Sequence, residues 1–230
     1  MPIFKLSDAL VFPDIHLAEP EGLLAVGGDL SVERLLLAYQ KGIFPWFNRG
    51  EPILWWSPPE RAVIIPGQAH LSKSLRKTLR KVPFTVRIDT CFEEVVHACA
   101  ATTRPGQRGT WIGAGMQAAY IALHERGFAH SFETFLEGEL VGGLYGVSLG
   151  GCFFGESMFS KMSDGSKVAF AALDATLAAR GFDLIDCQLE NANVSRYGAQ
   201  LIARRKFQEI LERSLERPTQ VGKWQITQSE

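Results

Sequence analysis

An α+β fold built on a mixed sheet is the class this chain predicts, on three observations. Residues 1–65 are dense in Pro, Gly and aromatic side chains and hold a single helix-like stretch. From residue 66 onward, helical periodicity alternates with short β-branched and aromatic runs. Two of the intervening turns, Glu137-Gly138-Glu139 and Ser148-Leu149-Gly150-Gly151, have hairpin chemistry. Antiparallel hairpins followed by a helix and one more strand fold as a mixed sheet with helices packed on it. The expected organisation is a small N-terminal domain over 1–65 and a mixed-sheet domain over 66–230.

In chain order, apolar Leu23-Leu24-Ala25-Val26 runs into a Gly27-Gly28-Asp29 turn. Ser31 can cap a helix reaching Gln40, with Gly42 as its terminator. Phe44-Pro45-Trp46-Phe47 then leads through a Gly50 turn into Ile53-Leu54-Trp55-Trp56. Further helices are expected over 71–81, 92–103, 114–126 and 165–180, the last opened by Ser163-Asp164 and closed by Gly181. Strands are expected over 84–88, 130–136, 140–147, 152–158 and 182–188.

Bulk properties narrow the class. With 24 basic against 25 acidic side chains, a polyanionic partner must be met by a local patch rather than by the whole surface. Cys91, Cys99, Cys152 and Cys187 show no Cys-x-x-Cys spacing, as expected of reduced thiols in the cytoplasm. No signal-peptide pattern is present, and no apolar run approaches the roughly 20 residues that cross a bilayer. A cytoplasmic protein with no membrane partner is expected.

Two acids sit inside apolar strand-like runs: Glu156 in Phe153-Phe154-Gly155-Glu156-Ser157-Met158-Phe159, and Asp186 in Leu184-Ile185-Asp186-Cys187-Gln188. Strand alternation would put Leu184, Asp186 and Gln188 on one face, and Phe154, Glu156 and Met158 on another. An unpaired charge there costs several kcal/mol. The acids are therefore either tied up by Arg and backbone N–H groups, or line a pocket that grips an apolar side chain beside an amine.

The stretch 71–82 contains five cations and no acid. On a helix, Lys73, Arg76, Lys77, Arg80 and Lys81 form one face, opposite Leu71, Leu75, Leu79 and Val82. Such a stripe suits a phosphate backbone, against the plainer reading of a solvated amphipathic helix. Trp46, after Pro45, and Trp111, in Arg108-Gly109-Thr110-Trp111-Ile112-Gly113, occupy loops where an indole can stack on a base or pack locally. Trp55 and Trp56 are better assigned to packing. The five histidines lack metal spacing, no Gly-x-Ser-x-Gly elbow occurs, and 160–167 lacks the paired glycines of a pyrophosphate cradle. No metal and no cofactor are expected, coenzyme A included.

Together these motifs resemble the leucyl/phenylalanyl-tRNA-protein transferases. The resemblance is carried by Gly22-Leu23-Leu24-Ala25-Val26-Gly27-Gly28-Asp29-Leu30, Tyr39-Gln40-Lys41-Gly42-Ile43-Phe44-Pro45-Trp46-Phe47, Leu54-Trp55-Trp56-Ser57-Pro58 and Gly109-Thr110-Trp111-Ile112. It continues through Leu140-Val141-Gly142-Gly143-Leu144-Tyr145-Gly146, Phe154-Gly155-Glu156-Ser157-Met158-Phe159-Ser160 and Leu184-Ile185-Asp186-Cys187-Gln188. It implies a small N-terminal domain joined to an acetyltransferase-like (GNAT) domain. The implied activity is transfer of Leu, Phe or Met from aminoacyl-tRNA to the N-terminal amine of proteins beginning with Arg or Lys, a mark for N-degron degradation. A monomer is expected. By position, the resemblance places Trp46 and Trp111 on the 3′-terminal adenosine and Leu144, Phe153, Met158, Leu173 and Ile185 around the amino-acid side chain. It places Asp186, Gln188 and Glu156 at the reaction centre, and Lys73, Arg76, Lys77, Arg80 and Lys81 on the tRNA backbone. The family often has Met where this chain has Leu144, and Phe where it has Leu173. Two other readings stand beside it: a coenzyme A-dependent N-acetyltransferase, and a non-catalytic tRNA-binding protein whose acids are structural.

Overall fold

Two sheets organise the chain, and the computed structural model describes residues 3–102 and 110–225; Arg108 and Gly109 of the motif ahead of Trp111 lie outside them. The first sheet takes β1 (Phe4–Leu6) and β2 (Leu23–Gly27), then, after helix α1 (Val32–Gln40), β3 (Phe44–Pro45) and β4 (Leu54–Trp56), in the order β1-β2-β4-β3. Ser31 caps α1 as its sequence suggests, its hydroxyl accepting the Arg34 N–H at 3.3 Å. Leu24, Leu35, Tyr39 and Trp55 are fully buried beneath this sheet.

β5 (Glu60–Ile64) leaves that unit and enters the second sheet, where it pairs with β10 and β11. The boundary expected at residue 65 thus falls one strand beyond the change of sheet. There follow α2 (Lys73–Lys81), β6 (Thr85–Ile88), α3 (Phe92–Ala101), α4 (Ala114–Glu125), β7 (Ala129–Leu136), β8 (Glu139–Leu149), β9 (Cys152–Ser160), α5 (Gly165–Ala179) and β10 (Leu184–Asp186). Each lies within two residues of its expected ends. Last come α6 (Ala192–Arg196), β11 (Gln200–Ala203) and α7 (Arg204–Leu215), which the sequence reading did not anticipate. β11 is an edge strand with little buried surface, so it lacks apolar alternation. α7 does carry a helical stripe, Phe207, Leu211 and Ser214, inside a highly charged segment.

The larger sheet runs β11-β5-β10-β9-β8-β7-β6, with β10 parallel to β9 and the other pairs antiparallel. It is the mixed α+β architecture expected. One face packs on α3 and α4 through Val95, Val96, Tyr120, Leu123 and Phe154; the other packs on α5 through Phe132, Leu144, Phe153, Phe170 and Leu173. α5 comes so close to β8 that a Cβ on Gly142 would collide with the Gly165 carbonyl carbon.

A bulge in β9 corrects the expected strand faces. Tyr145 stands opposite Ser157, and Gly146 opposite Gly155, which leaves Glu156 as an extra residue and reverses the alternation. Phe153 and Met158 therefore share the α5 side, while Phe154 and Phe159 share the other. The expected trio of Phe154, Glu156 and Met158 on one face does not exist.

Candidate active site

β9 and β10 pair only as far as Phe154 and Asp186. Beyond that register the parallel strands separate, and a cavity of about 1180 Å³ opens between residues 155–160 and 187–194. Its apolar end is walled by Leu144, Met158, Phe170, Leu173 and Ile185. Phe153 is not on that wall: with the bulge fixing its side, it is fully buried beneath it, in the same cluster as Leu144.

Polar groups converge at the other end. The Glu156 carboxylate oxygens lie 2.8 Å from the Tyr39 hydroxyl and 2.5 Å from that of Tyr120, and the two hydroxyls lie 2.8 Å from each other. Gln188 donates from its side-chain amide to Glu156 Oε1 at 2.9 Å. Burial, foremost, pushes Glu156 up to about 7, with the negative charge of Asp186 adding to it, while the hydroxyl and amide hydrogen bonds oppose. Burial also holds both tyrosines well above their ordinary range, so they stay protonated.

For Asp186 the first of the two readings holds, an acid tied up by an arginine and a backbone N–H. It is fully buried, and its carboxylate accepts from Arg61 Nε at 3.0 Å and from Arg61 Nη2 at 2.8 Å. It does not line the cavity. Arg61 further donates to the Gly42 carbonyl at 2.8 Å and lies over the Phe44 and Phe207 rings. Asp186 Oδ1 also accepts the Gln188 backbone N–H at 2.9 Å, a local turn that ends β10 and holds Gln188 at φ 62°. Gln188 is thus not a strand residue sharing a face with Leu184. It occupies a left-handed position that only a few per cent of non-glycine residues adopt, which is the kind of backbone found at functional sites.

The two loop tryptophans flank the polar end. Trp46 is 38 % exposed, Trp111 is half-buried, and both line the large cavity and an adjoining one of about 80 Å³ that Glu156 and Gln188 also reach. Trp56 steadies Trp46, donating its indole N–H to the Trp46 carbonyl at 2.7 Å with ring centroids 5.9 Å apart. Trp55 is fully buried, and its indole donates to the Gly27 carbonyl.

Helix α2 borders the mouth, where Ser72 and Leu75 join Lys167 and Arg196 on the rim. Its cations Lys73, Arg76, Lys77, Arg80 and Lys81 are all exposed, with Leu75 buried beneath. The apolar side is narrower than expected, since Leu79 is 40 % exposed. Sequence reasoning missed Arg61, Tyr39, Tyr120 and Phe170. Arg61 had a signal, a cation inside the strand Glu60-Arg61-Ala62-Val63-Ile64; the tyrosines had none, because only the fold brings α1 and α4 to the bulge.

Comparison with known proteins identifies a family. The profile described as Leucyl/phenylalanyl-tRNA protein transferase matches residues 63–212, and that of the family's N-terminal domain matches 28–59. A Leucyl/phenylalanyl-tRNA--protein transferase of Desulforapulum autotrophicum is 53 % identical over 99 % of this chain and 99 % of its own. One from Myxococcus xanthus is 52 % identical over 97 % of each. Among solved structures, a GCN5-related N-acetyltransferase from Kribbella flavida covers 73 % of this chain and 60 % of its own at 11 % identity and a TM-score of 0.36, which decides nothing about activity. The chain belongs to the leucyl/phenylalanyl-tRNA-protein transferase family and is an aminoacyltransferase.

Proposed function

We propose that this protein takes Leu, Phe or Met from the 3′ end of its tRNA and joins it to the α-amine of an acceptor protein beginning with Arg or Lys, as an N-degron mark. The observation that carries this reading is the junction in one cavity of an apolar slot with a polar strand end, framed by two loop tryptophans. Leu144, Met158, Leu173 and Ile185 would receive the amino-acid side chain, and Phe170 closes the same wall. Trp46 and Trp111 would stack on the terminal adenosine, and α2 would follow the backbone phosphates. One methylene changes binding by only about 1–3 kcal/mol, so Leu, Phe and Met should be poorly distinguished.

An aminoacyl ester is already activated, so peptide formation requires chiefly a neutral amine held near the carbonyl carbon. An α-amine with pKa about 7.7–8.0 is roughly a tenth neutral near pH 7. Gln188, with its amide N–H₂ turned toward Glu156, presents its carbonyl oxygen to that amine. Asp186 acts through Gln188: it fixes the left-handed turn and shares its charge with Arg61 instead of meeting the substrate. The amine nitrogen attacks the ester carbonyl, the C–O bond to the 3′-oxygen breaks, and the amine's proton passes to that oxygen, with the ribose 2′-OH able to relay it.

Incubating the protein with Leu-tRNA or Phe-tRNA and an Arg-starting peptide should yield the extended peptide. RNA binding without extension would reduce the protein to a tRNA-binding module. Acetylation of the peptide with acetyl-coenzyme A, or a calorimetric signal with that cofactor, would move the reading to an N-acetyltransferase.

A further inference from the structure

Three short oxygen–oxygen contacts close a triangle at the bulge: Glu156 to Tyr39 at 2.8 Å, Glu156 to Tyr120 at 2.5 Å, and Tyr39 to Tyr120 at 2.8 Å. Each such contact needs one proton between its oxygens. The two phenols supply two. If both phenols donated to a carboxylate, their own oxygens would face each other at 2.8 Å with nothing between them, inside a site where both rings are fully buried.

We infer that Glu156 rests as the neutral acid and supplies the third proton, so that hydrogen bonds run in one direction around the ring of Glu156, Tyr120 and Tyr39. Glu156 Oε2 donates to the Tyr120 oxygen, Tyr120 donates to Tyr39, and Tyr39 donates to Glu156 Oε1. That last oxygen is a carbonyl with two lone pairs, and its second partner is the Gln188 amide at 2.9 Å.

The groups facing Glu156 agree. From α1 and α4 come the two phenols, and from β8 comes Tyr145, whose ring packs edge-on against Tyr120 at 5.2 Å. From the end of β10 come Gln188 and the negative charge of Asp186, whose arginine partner is already engaged. A second anion there would be disfavoured by burial and by Asp186 alike.

For the reaction proposed above, on which this consequence rests, the proton has a use. A carboxylate beside the incoming α-amine would hold it as ammonium, the form that cannot attack. A neutral acid leaves the amine free to deprotonate while still fixing the Gln188 amide. Glu156 is then a positioning residue that acts through Gln188.

Infrared difference spectroscopy on the full chain with isotope-labelled glutamate tests the proton without substrate, so it stands apart from the transfer reading. Subtracting the Glu156→Gln spectrum isolates this position from Glu133, which burial also pushes up. A carboxylic-acid carbonyl band should be present at pH 6 and vanish with a midpoint near 7. Tyr39→Phe leaves one hydroxyl against one carboxylate, a pair that the phenol's own proton satisfies, so the midpoint should shift down from about 7 but stay above the ordinary 4.5, because the burial remains. Tyr120→Phe should do the same if the first variant does not fold. Absence of the band at pH 6, or a midpoint unmoved by either phenylalanine, overturns the inference. In the transfer assay, kcat should show a falling limb above about 7 that disappears in Glu156→Gln. The amide of that variant can close the same ring, so it should exceed Glu156→Ala in kcat by about tenfold or more. Equal kcat in the two variants, or a limb that survives in Glu156→Gln, overturns the use assigned to the proton.

Discussion

Asp186 stands at the last paired register of two parallel strands and Glu156 just past it, and the protein neutralises them by opposite means. Asp186 faces inward and is matched by the Arg61 guanidinium, which is itself fixed by the Gly42 carbonyl and two aromatic rings. Glu156, thrown out of register by the bulge, meets two phenols and an amide and, among the described residues, no cation. One acid is charged and sealed, and the other lines the cavity. Residue type does not assign the role at such a site; the neighbours on the opposing elements do.

The sharpest way to break this comparison is to remove the cation. Arg61→Met strands the Asp186 charge in the core and should cost about 3–5 kcal/mol in urea unfolding, whereas adding Asp186→Leu should recover much of that. Arg61→Met within about 1 kcal/mol of wild type would mean that Asp186 does not depend on its partner. Asp186→Asn keeps an oxygen able to accept the Gln188 N–H, so it should lose stability more than it loses kcat.

Proton linkage separates the two acids next. Glu156 is pushed from 4.5 to about 7 in the folded chain. Between those values the folded state holds a proton that the unfolded chain has released. Its contribution is therefore complete below the ordinary carboxylate range and is lost as pH rises through about 7. Each unit of displacement is worth about 1.4 kcal/mol. Wild type should thus become less stable from pH 5 to 8 relative to Glu156→Gln in parallel denaturant titrations. A difference that does not vary with pH would put Glu156 in the same charged class as Asp186.

Of this arrangement, the sequence disclosed the parts that depend on local pattern. The helices around Phe92, Met116 and Phe170 follow from apolar spacing, and the hairpins follow from Gly138 and Gly150. The two acids stood out because each interrupts an apolar run. Which acid faces the cavity was not legible, since one extra residue at Glu156 reverses every side chain beyond it, and bulges leave no reliable mark in composition. The tyrosine pair was hidden for another reason: Tyr39 and Tyr120 lie 81 residues apart and meet only through tertiary packing.

The tryptophans extend the contrast from acids to stacking surfaces. Trp46 and Trp111 both border the Glu156–Gln188 end, so Trp46→Ala and Trp111→Ala should each weaken capture of charged tRNA by about 1–3 kcal/mol, equally for Leu and Phe. Trp55→Ala should instead lower stability, because that indole is fully buried. A loss at Trp46 confined to one amino acid would place it on the side-chain slot instead of the nucleotide.

The smallest effect per residue belongs to α2, where every cation is exposed and would meet a phosphate across water. Lys77→Ala should leave folding within about 0.5 kcal/mol and reduce affinity for tRNA modestly. Its signature is the salt dependence: each phosphate no longer neutralised should flatten the slope of log K against log salt by about 0.7–0.9. Repeating the measurement with Leu-tRNA and Phe-tRNA distinguishes a backbone role from a pocket role. Lys77 lies on the solvent side of a helix whose Leu75 borders the cavity, so the two slopes should change together. A change seen with one aminoacyl group alone would require this helix to sense the slot, and the division between a rim that holds phosphate and a cavity that holds the amino acid would not stand.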